Sequence, residues 1–211
     1  PCSTPFPETE PNNSAGTADL LASPCYGASG AVSPAGDADY FSVMALNGGR
    51  LWLLVDTGSP PAQSGSRDSV LELYDTDGTT LLEADDDDGT GNGGDGTVEA
   101  AAASVIAGRV MPATDTFYLR VRQYSTGVID HYHLVTAHTF GGFQTSGVEP
   151  NDDVASANRM RTHPAVRVAD LSPAGEADFY SFFGQAGDTI FIAADLDPER
   201  DNSNTDVDFE L

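Results

Sequence analysis

Along residues 116–122 polar and apolar positions alternate one by one: Phe117, Leu119 and Val121 fall on one side, Tyr118, Arg120 and Arg122 on the other. Successive side chains of a strand point to opposite faces, so this run predicts a strand with one buried face. Residues 50–57 (RLWLLVDT) are apolar on both faces and suit a central strand. Further strands are predicted over residues 39–46, 69–74, 80–84, 98–106 and 130–138, with turns at Asn47-Gly48-Gly49 and at 75–78 (DTDG). Residues 14–22 read as a short helix behind an Asx turn and N-cap. About eight short strands punctuated by Gly and Pro predict an all-β protein, an antiparallel β-sandwich of jelly-roll type.

The pattern then starts again. Residues 33–42 (SPAGDADYFS) return as 172–181 (SPAGEADFYS), and Glu10-Pro11-Asn12-Asn13 returns as Glu149-Pro150-Asn151-Asp152, both at an offset of 139. Two landmarks at one spacing mark a duplicated unit. Residues 177–184 and 189–195 match the first two strong strands, and 206–211 (DVDFEL) match 68–73 (DSVLEL). The expected organisation is a tandem: a first sandwich over residues 1–140, a linker over 141–148, and the N-terminal half of a second sandwich over 149–211. Half a sandwich leaves strand edges unpaired and an apolar face uncovered. Strand addition between copies of the chain, head to tail, would complete it and build a filament.

Charge narrows the partners. Asp and Glu number 33 against 9 basic residues, all of them Arg, for a net charge of −24. Such a chain is repelled by phosphate backbones and anionic lipid, so neither nucleic acid nor membrane insertion is expected. Acidic clusters attract cations instead. Cys2 and Cys25 flank a tail rich in Pro, Ser and Asn; they are expected to close a disulfide that pins it, outside the cytosol, with two free thiols as the alternative. Gly-x-Ser-x-Gly, His-Glu-x-x-His and a Lys-bearing phosphate loop are all missing, so no enzyme is expected.

Residues 8–13 (ETEPNN) place four oxygen-bearing side chains, Glu8, Glu10, Asn12 and Asn13, around one proline. Asp37 and Asp39, two apart, share a face if that stretch is extended. Calcium takes six to eight oxygens from such groups, and gathered anions repel one another without a cation. Zinc is disfavoured because no Cys or His accompanies them. The acidic loop over residues 85–95 lacks the EF-hand spacing and is expected to be solvated. His131 and His133 share one strand face, but two histidines alone make a poor site.

The order of these motifs resembles the bacterial pre-peptidase C-terminal domain family: the leader 10–13, then 36–41 (GDADYF), then 73–78 (LYDTDG), with the late strand segments 116–121 (TFYLRV) and 132–135 (YHLV). The resemblance covers one full copy and about half of another. Members are β-sandwich modules commonly appended to secreted hydrolases. The collagen-binding domains of collagenases are similar and bind calcium through the acidic leader. The resemblance implies calcium ligation by Glu8, Glu10, Asn12 and Asn13, with Asp39 reaching in; Gly36 stands where the family has an acid, beside Asp37. It implies Glu149, Asn151, Asp152 and Asp178 in the second copy, where Gly147 replaces Glu8 and removes one carboxylate. The expected role is a non-catalytic, secreted, calcium-binding module. The alternatives are a filament subunit and an adhesin for collagen or another matrix component or polysaccharide, using Tyr118–Arg122.

Overall fold

The structure, a computed structural model, describes residues 5–22, 26–57, 68–86, 104–139, 144–161, 165–187, 190, 192–195 and 210. Cys2, Cys25 and the acidic loop from residue 87 onward lie outside the described residues, as does most of the 206–211 segment. The chain divides into two units, Pro1–His138 with Phe191–Leu211, and Thr139–Ile190.

Among the described residues ten strands fall in the first part of the chain: β1 (Phe6–Pro7), β2 (Asp19–Leu21), β3 (Tyr26–Val32), β4 (Ala38–Ala45), β5 (Arg50–Asp56), β6 (Ser69–Tyr74), β7 (Leu81–Asp85), β8 (Ser104–Val110), β9 (Asp115–Gln123) and β10 (Ile129–Thr139). They form two five-stranded sheets, ordered β1-β3-β10-β5-β8 and β2-β4-β9-β6-β7. One hydrophobic core joins them. Val32, Leu51, Leu53, Ile106 and Leu134 come from the first sheet, and Phe41, Val43, Leu71, Phe117 and Leu119 from the second. This is a β-sandwich, and the alternation along β9 is the reason: Phe117, Leu119 and Val121 are fully buried while the residues between them are not. At one end the hydroxyls of Ser69 (β6) and Ser104 (β8), both buried, meet at 2.8 Å.

Two expectations are corrected. Residues 14–22 are not a helix. Ala15–Thr17 is a single 3-10 turn, and Asp19–Leu21 pairs with β4. Gly16 weakens the helix, and the β4 edge satisfies the backbone while Leu21 is buried in the core, so tertiary pairing overrides local propensity. Nor is the sandwich purely antiparallel. β1 runs parallel to β3 and β2 parallel to β4, while β3–β10, β4–β9, β5–β8, β6–β7 and β6–β9 are antiparallel. β1 joins one sheet and β2 the other, so the leader between them must cross from layer to layer over the mouth of the sandwich.

The second unit repeats this entry in miniature. β11 (Gln144–Ser146) pairs parallel with β13 (Val166–Val168), and β12 (Asn158–Arg159) pairs parallel with β14 (Tyr180–Ser181). The strands expected over 177–184 and 189–195 shrink to β14 among the described residues. No counterpart of β9 lies beside β14 there, so Tyr180 and Phe182 are only half-buried where Phe41 and Val43 are fully buried. Among the described residues no helix is long and apolar enough to cross a membrane.

Candidate metal centre

The leader is fastened at both ends before its acids are aimed. The Glu8 amide donates to the Ser29 carbonyl at 2.9 Å, prolonging the β1–β3 pairing. Tyr40 N donates to the Asn12 carbonyl at 2.9 Å, joining the leader to β4. Between these anchors Asp19 Oδ2 accepts from Thr9 N at 2.7 Å and lies 3.5 Å from Asn12 Nδ2. Glu10 Oε2 accepts from Asn12 N at 3.1 Å.

Carboxylate oxygens of Glu8, Glu10 and Asp39 all lie within 4.8 Å of one another. Asp39 is wholly buried at the head of β4. One of its oxygens accepts from the Tyr132 hydroxyl at 2.7 Å, and the same hydroxyl lies 3.1 Å from Glu8 Oε2. Glu8 Oε1 accepts from Ala31 N at 2.7 Å. The other Asp39 oxygen and the Asn12 Oδ1, both buried, meet no hydrogen-bond donor. Burial pushes the Asp39 carboxyl up to about 8; the Tyr132 bond opposes this, while the charges of Glu8 and Asp37 add to it. Burial likewise raises Glu10, with Asp37, Glu8 and Asp19 contributing.

These orphaned oxygens fit a cation. A buried acceptor without a donor costs about 1–3 kcal/mol, more when charged, and native interiors leave few of them. The donor set here is all oxygen, from carboxylates and an amide, which is the chemistry of a hard ion. Glu8, Glu10, Asp39 and Asn12 would hold it.

Asp37 is not one of those three converging acids, and it is bonded to Asn13. Asn13 Nδ2 donates to Asp37 Oδ1 at 2.6 Å, and Asp37 Oδ2 accepts from Ser33 N at 3.1 Å. Gly36, at φ +86°, makes the turn that brings the Asp37 amide back to the Pro34 carbonyl at 3.0 Å. A positive φ of this kind favours glycine at this position.

The second unit reproduces the scaffold bond for bond. Gly147 N donates to Val168 O at 2.9 Å, Phe179 N to Asn151 O at 2.9 Å, Asn151 N to Glu149 Oε2 at 3.1 Å, and Val148 N to Asn158 Oδ1 at 2.8 Å. Each has its partner in the first unit 139 residues earlier. The converging acids differ: Glu149, Asp152 and Glu176 lie within 4.8 Å of one another. Asp152 and Glu176 occupy the places of Asn13 and Asp37, so a hydrogen-bonded amide–carboxylate pair becomes two carboxylates. Glu176 thus supplies an acid where Gly147 withholds one. Asn151 is fully buried with neither amide atom partnered, and Asp178 Oδ1 and Glu176 Oε2 are buried without a donor. Asp178 Oδ2 accepts from Tyr180 OH at 2.9 Å.

Gly30 sits opposite Tyr132 in the β3–β10 register. A Cβ there would come within 2.5 Å of the Tyr132 hydroxyl and 2.6 Å of its ring carbon. Gly30→Ala should therefore displace Tyr132 and Glu8 together and weaken cation binding about tenfold or more, as the loss of a supporting partner does at other metal sites. Calorimetric titration of the variant with calcium measures this; wild-type affinity in the variant would show that the Tyr132 seat does not organise the site.

The fold and site together define a two-layer β-sandwich whose entering segment lays an acidic, oxygen-only cluster across its mouth. Against that class, the chain is similar to the pre-peptidase C-terminal domain of a collagenase from Bacillus anthracis, with 14% identity and a TM-score of 0.38 over 56% of this chain and 93% of that one. It is also similar to a periplasmic inhibitor of g-type lysozyme from Aeromonas hydrophila, with 12% identity and a TM-score of 0.36 over 64% of this chain and 96% of that one. No family model and no curated protein matches the chain.

Proposed function

We propose that this chain is a non-catalytic, calcium-binding β-sandwich module of a secreted protein. The ion ties the acidic leader to the head of β4 in the first unit and does the same for the repeated leader in the second. The observation that carries the reading is the buried Asp39 carboxylate, within 4.8 Å of two further acids and with one oxygen lacking any donor, together with the equally orphaned Asn12 Oδ1. Calcium suits this set better than magnesium, because it accepts six to eight oxygens in flexible geometry. With its leader fixed, the module would present a rigid sheet surface and a rigid attachment to whatever it serves.

Proton linkage tests the assignment. Without an ion, Asp39 binds its proton up to about pH 8, above the ordinary carboxylate value. A raised folded value means that the ion-free protein loses this contribution as pH rises from the unfolded value through about 8. Calcium must displace the proton, so its affinity should tighten by up to about tenfold per pH unit between about pH 5 and 8. Calorimetric titration in buffers of different ionisation enthalpy reads both affinity and proton release. Affinity independent of pH across that window, with no proton released, would remove Asp39 from the site.

A second reading, adhesion to collagen or polysaccharide, is favoured by the outer face of the second sheet. Tyr40 and Tyr74 stack at 6.4 Å, Arg120 lies over the Tyr74 ring at 5.7 Å, and Glu72 receives bonds from Arg120, Arg122 and Tyr74. Aromatic and guanidinium groups held this way make a rigid, amphipathic contact surface. Tyr74→Ala should then reduce retention on immobilised collagen or polysaccharide without changing calcium affinity; equal retention of the variant and the parent would dismiss this reading.

A further inference from the structure

We propose a separate cation site on the outer face of the first sheet, in which His131 and His133 chelate a late first-row divalent ion such as Cu2+, Ni2+ or Zn2+. It rests on nitrogen donors and on different residues from the calcium reading, and either can fail without the other.

The backbone prepares the pair. β10 lies between β3 and β5 in the sheet order, so its main chain is held from both sides. Its register against β3 shifts between Ile129 and Tyr132. Ile129 pairs with Val32 and Tyr132 with Gly30, so Asp130 and His131 together oppose the single residue Ala31. A bulge of this kind re-aims side chains without ending the strand. Tyr132 and Leu134 are buried in the core. His131 and His133, on the other face, reach solvent.

The side chains are already at ligand spacing. The two Nε2 atoms are 3.2 Å apart, and the rings meet edge to face with centroids 4.7 Å apart. Nitrogens bound at about 2.0–2.1 Å and separated by 3.2 Å subtend about 100° at the ion, between square-planar and tetrahedral values. The two Nε2 atoms are in hydrogen-bond contact, and an ion would bind as that ring proton shifts to Nδ1 of its own ring and both Nε2 lone pairs turn toward the metal. Chelation therefore costs little ordering, which is what preorganised ligands supply. Two nitrogens leave the remaining positions to water, so the site is open and exchangeable. The net charge of −24 raises the local concentration of any divalent cation.

The test is a titration of the chain with Cu2+ in saturating Ca2+, which occupies oxygen sites and leaves imidazoles untouched. The expected result is one equivalent bound, lost in His131→Ala and again in His133→Ala. Both positions lie on the outer face, so both variants should keep the parent's circular dichroism. Electron paramagnetic resonance of the copper complex should show two imidazole nitrogens. Binding that survives the double variant, binding displaced by calcium, a one-nitrogen spectrum, or no binding at all would each overturn the proposal.

Discussion

Stripping calcium from the chain should lower its thermal transition by about 10 °C. An ion present at about a thousandfold excess over its dissociation constant, and bound only by the folded state, stabilises by about 4 kcal/mol. For a chain of this size each kcal/mol moves the midpoint by about 2–4 °C. The first unit should carry most of the shift. Its Asp39 is wholly buried, whereas Glu149 and Asp152 are exposed and screened by water. Differential scanning calorimetry with excess calcium and then with excess chelator, at one low ionic strength, reads the difference. Midpoints that coincide would mean that the acids at the mouth of the sandwich are tolerated without an ion.

Asp39→Asn should raise the melting point in chelator and lower it in calcium. In chelator at pH 8 and above, the buried carboxylate is a liability: it is desolvated and sits against Glu8. Replacing it with a neutral side chain of the same shape removes that cost, so the variant should melt above the parent by a few degrees, on the order of 1–2 kcal/mol. In calcium the order should reverse. The variant loses the charged oxygen nearest the core, binding weakens by about a hundredfold or more, and the parent melts higher by several degrees. A merely structural Asp39, bonded to Tyr132 and nothing else, gives one sign in both buffers. Melting both proteins with and without calcium therefore separates a ligand from a core carboxylate. A variant that is less stable than the parent by the same margin in both buffers would identify a structural residue.

What could be read from the chain and what could not follow from how each residue acts. Phe117, Leu119 and Val121 were legible because alternation encodes burial directly. The leader was legible because oxygen donors crowd around Pro11 and return 139 residues later. The helix over 14–22 misled because local propensity cannot register the waiting edge of β4. Strand β3 carries little signal in the sequence because YGASGAV is built of small residues, and its need for Gly30 lies in Tyr132, over a hundred residues away in the chain. Asp19 carried no motif. Its signal was the repeat itself: Asn158 stands at the same offset and makes the equivalent bond to the amide of Val148. Glu176 was visible only as a conservative change within the repeated GDAD/GEAD turn, and its role emerges when Asp152 and Glu149 converge on it.

A divalent ion should sit where the crossing leader meets the head of β4. Diffraction from crystals grown in calcium tests it most directly. The expected result is an ion bound at about 2.3–2.6 Å by oxygens of Glu8, Glu10, Asn12 and Asp39. Clear density for those four side chains turned into solvent, with nothing but water between them, would contradict it.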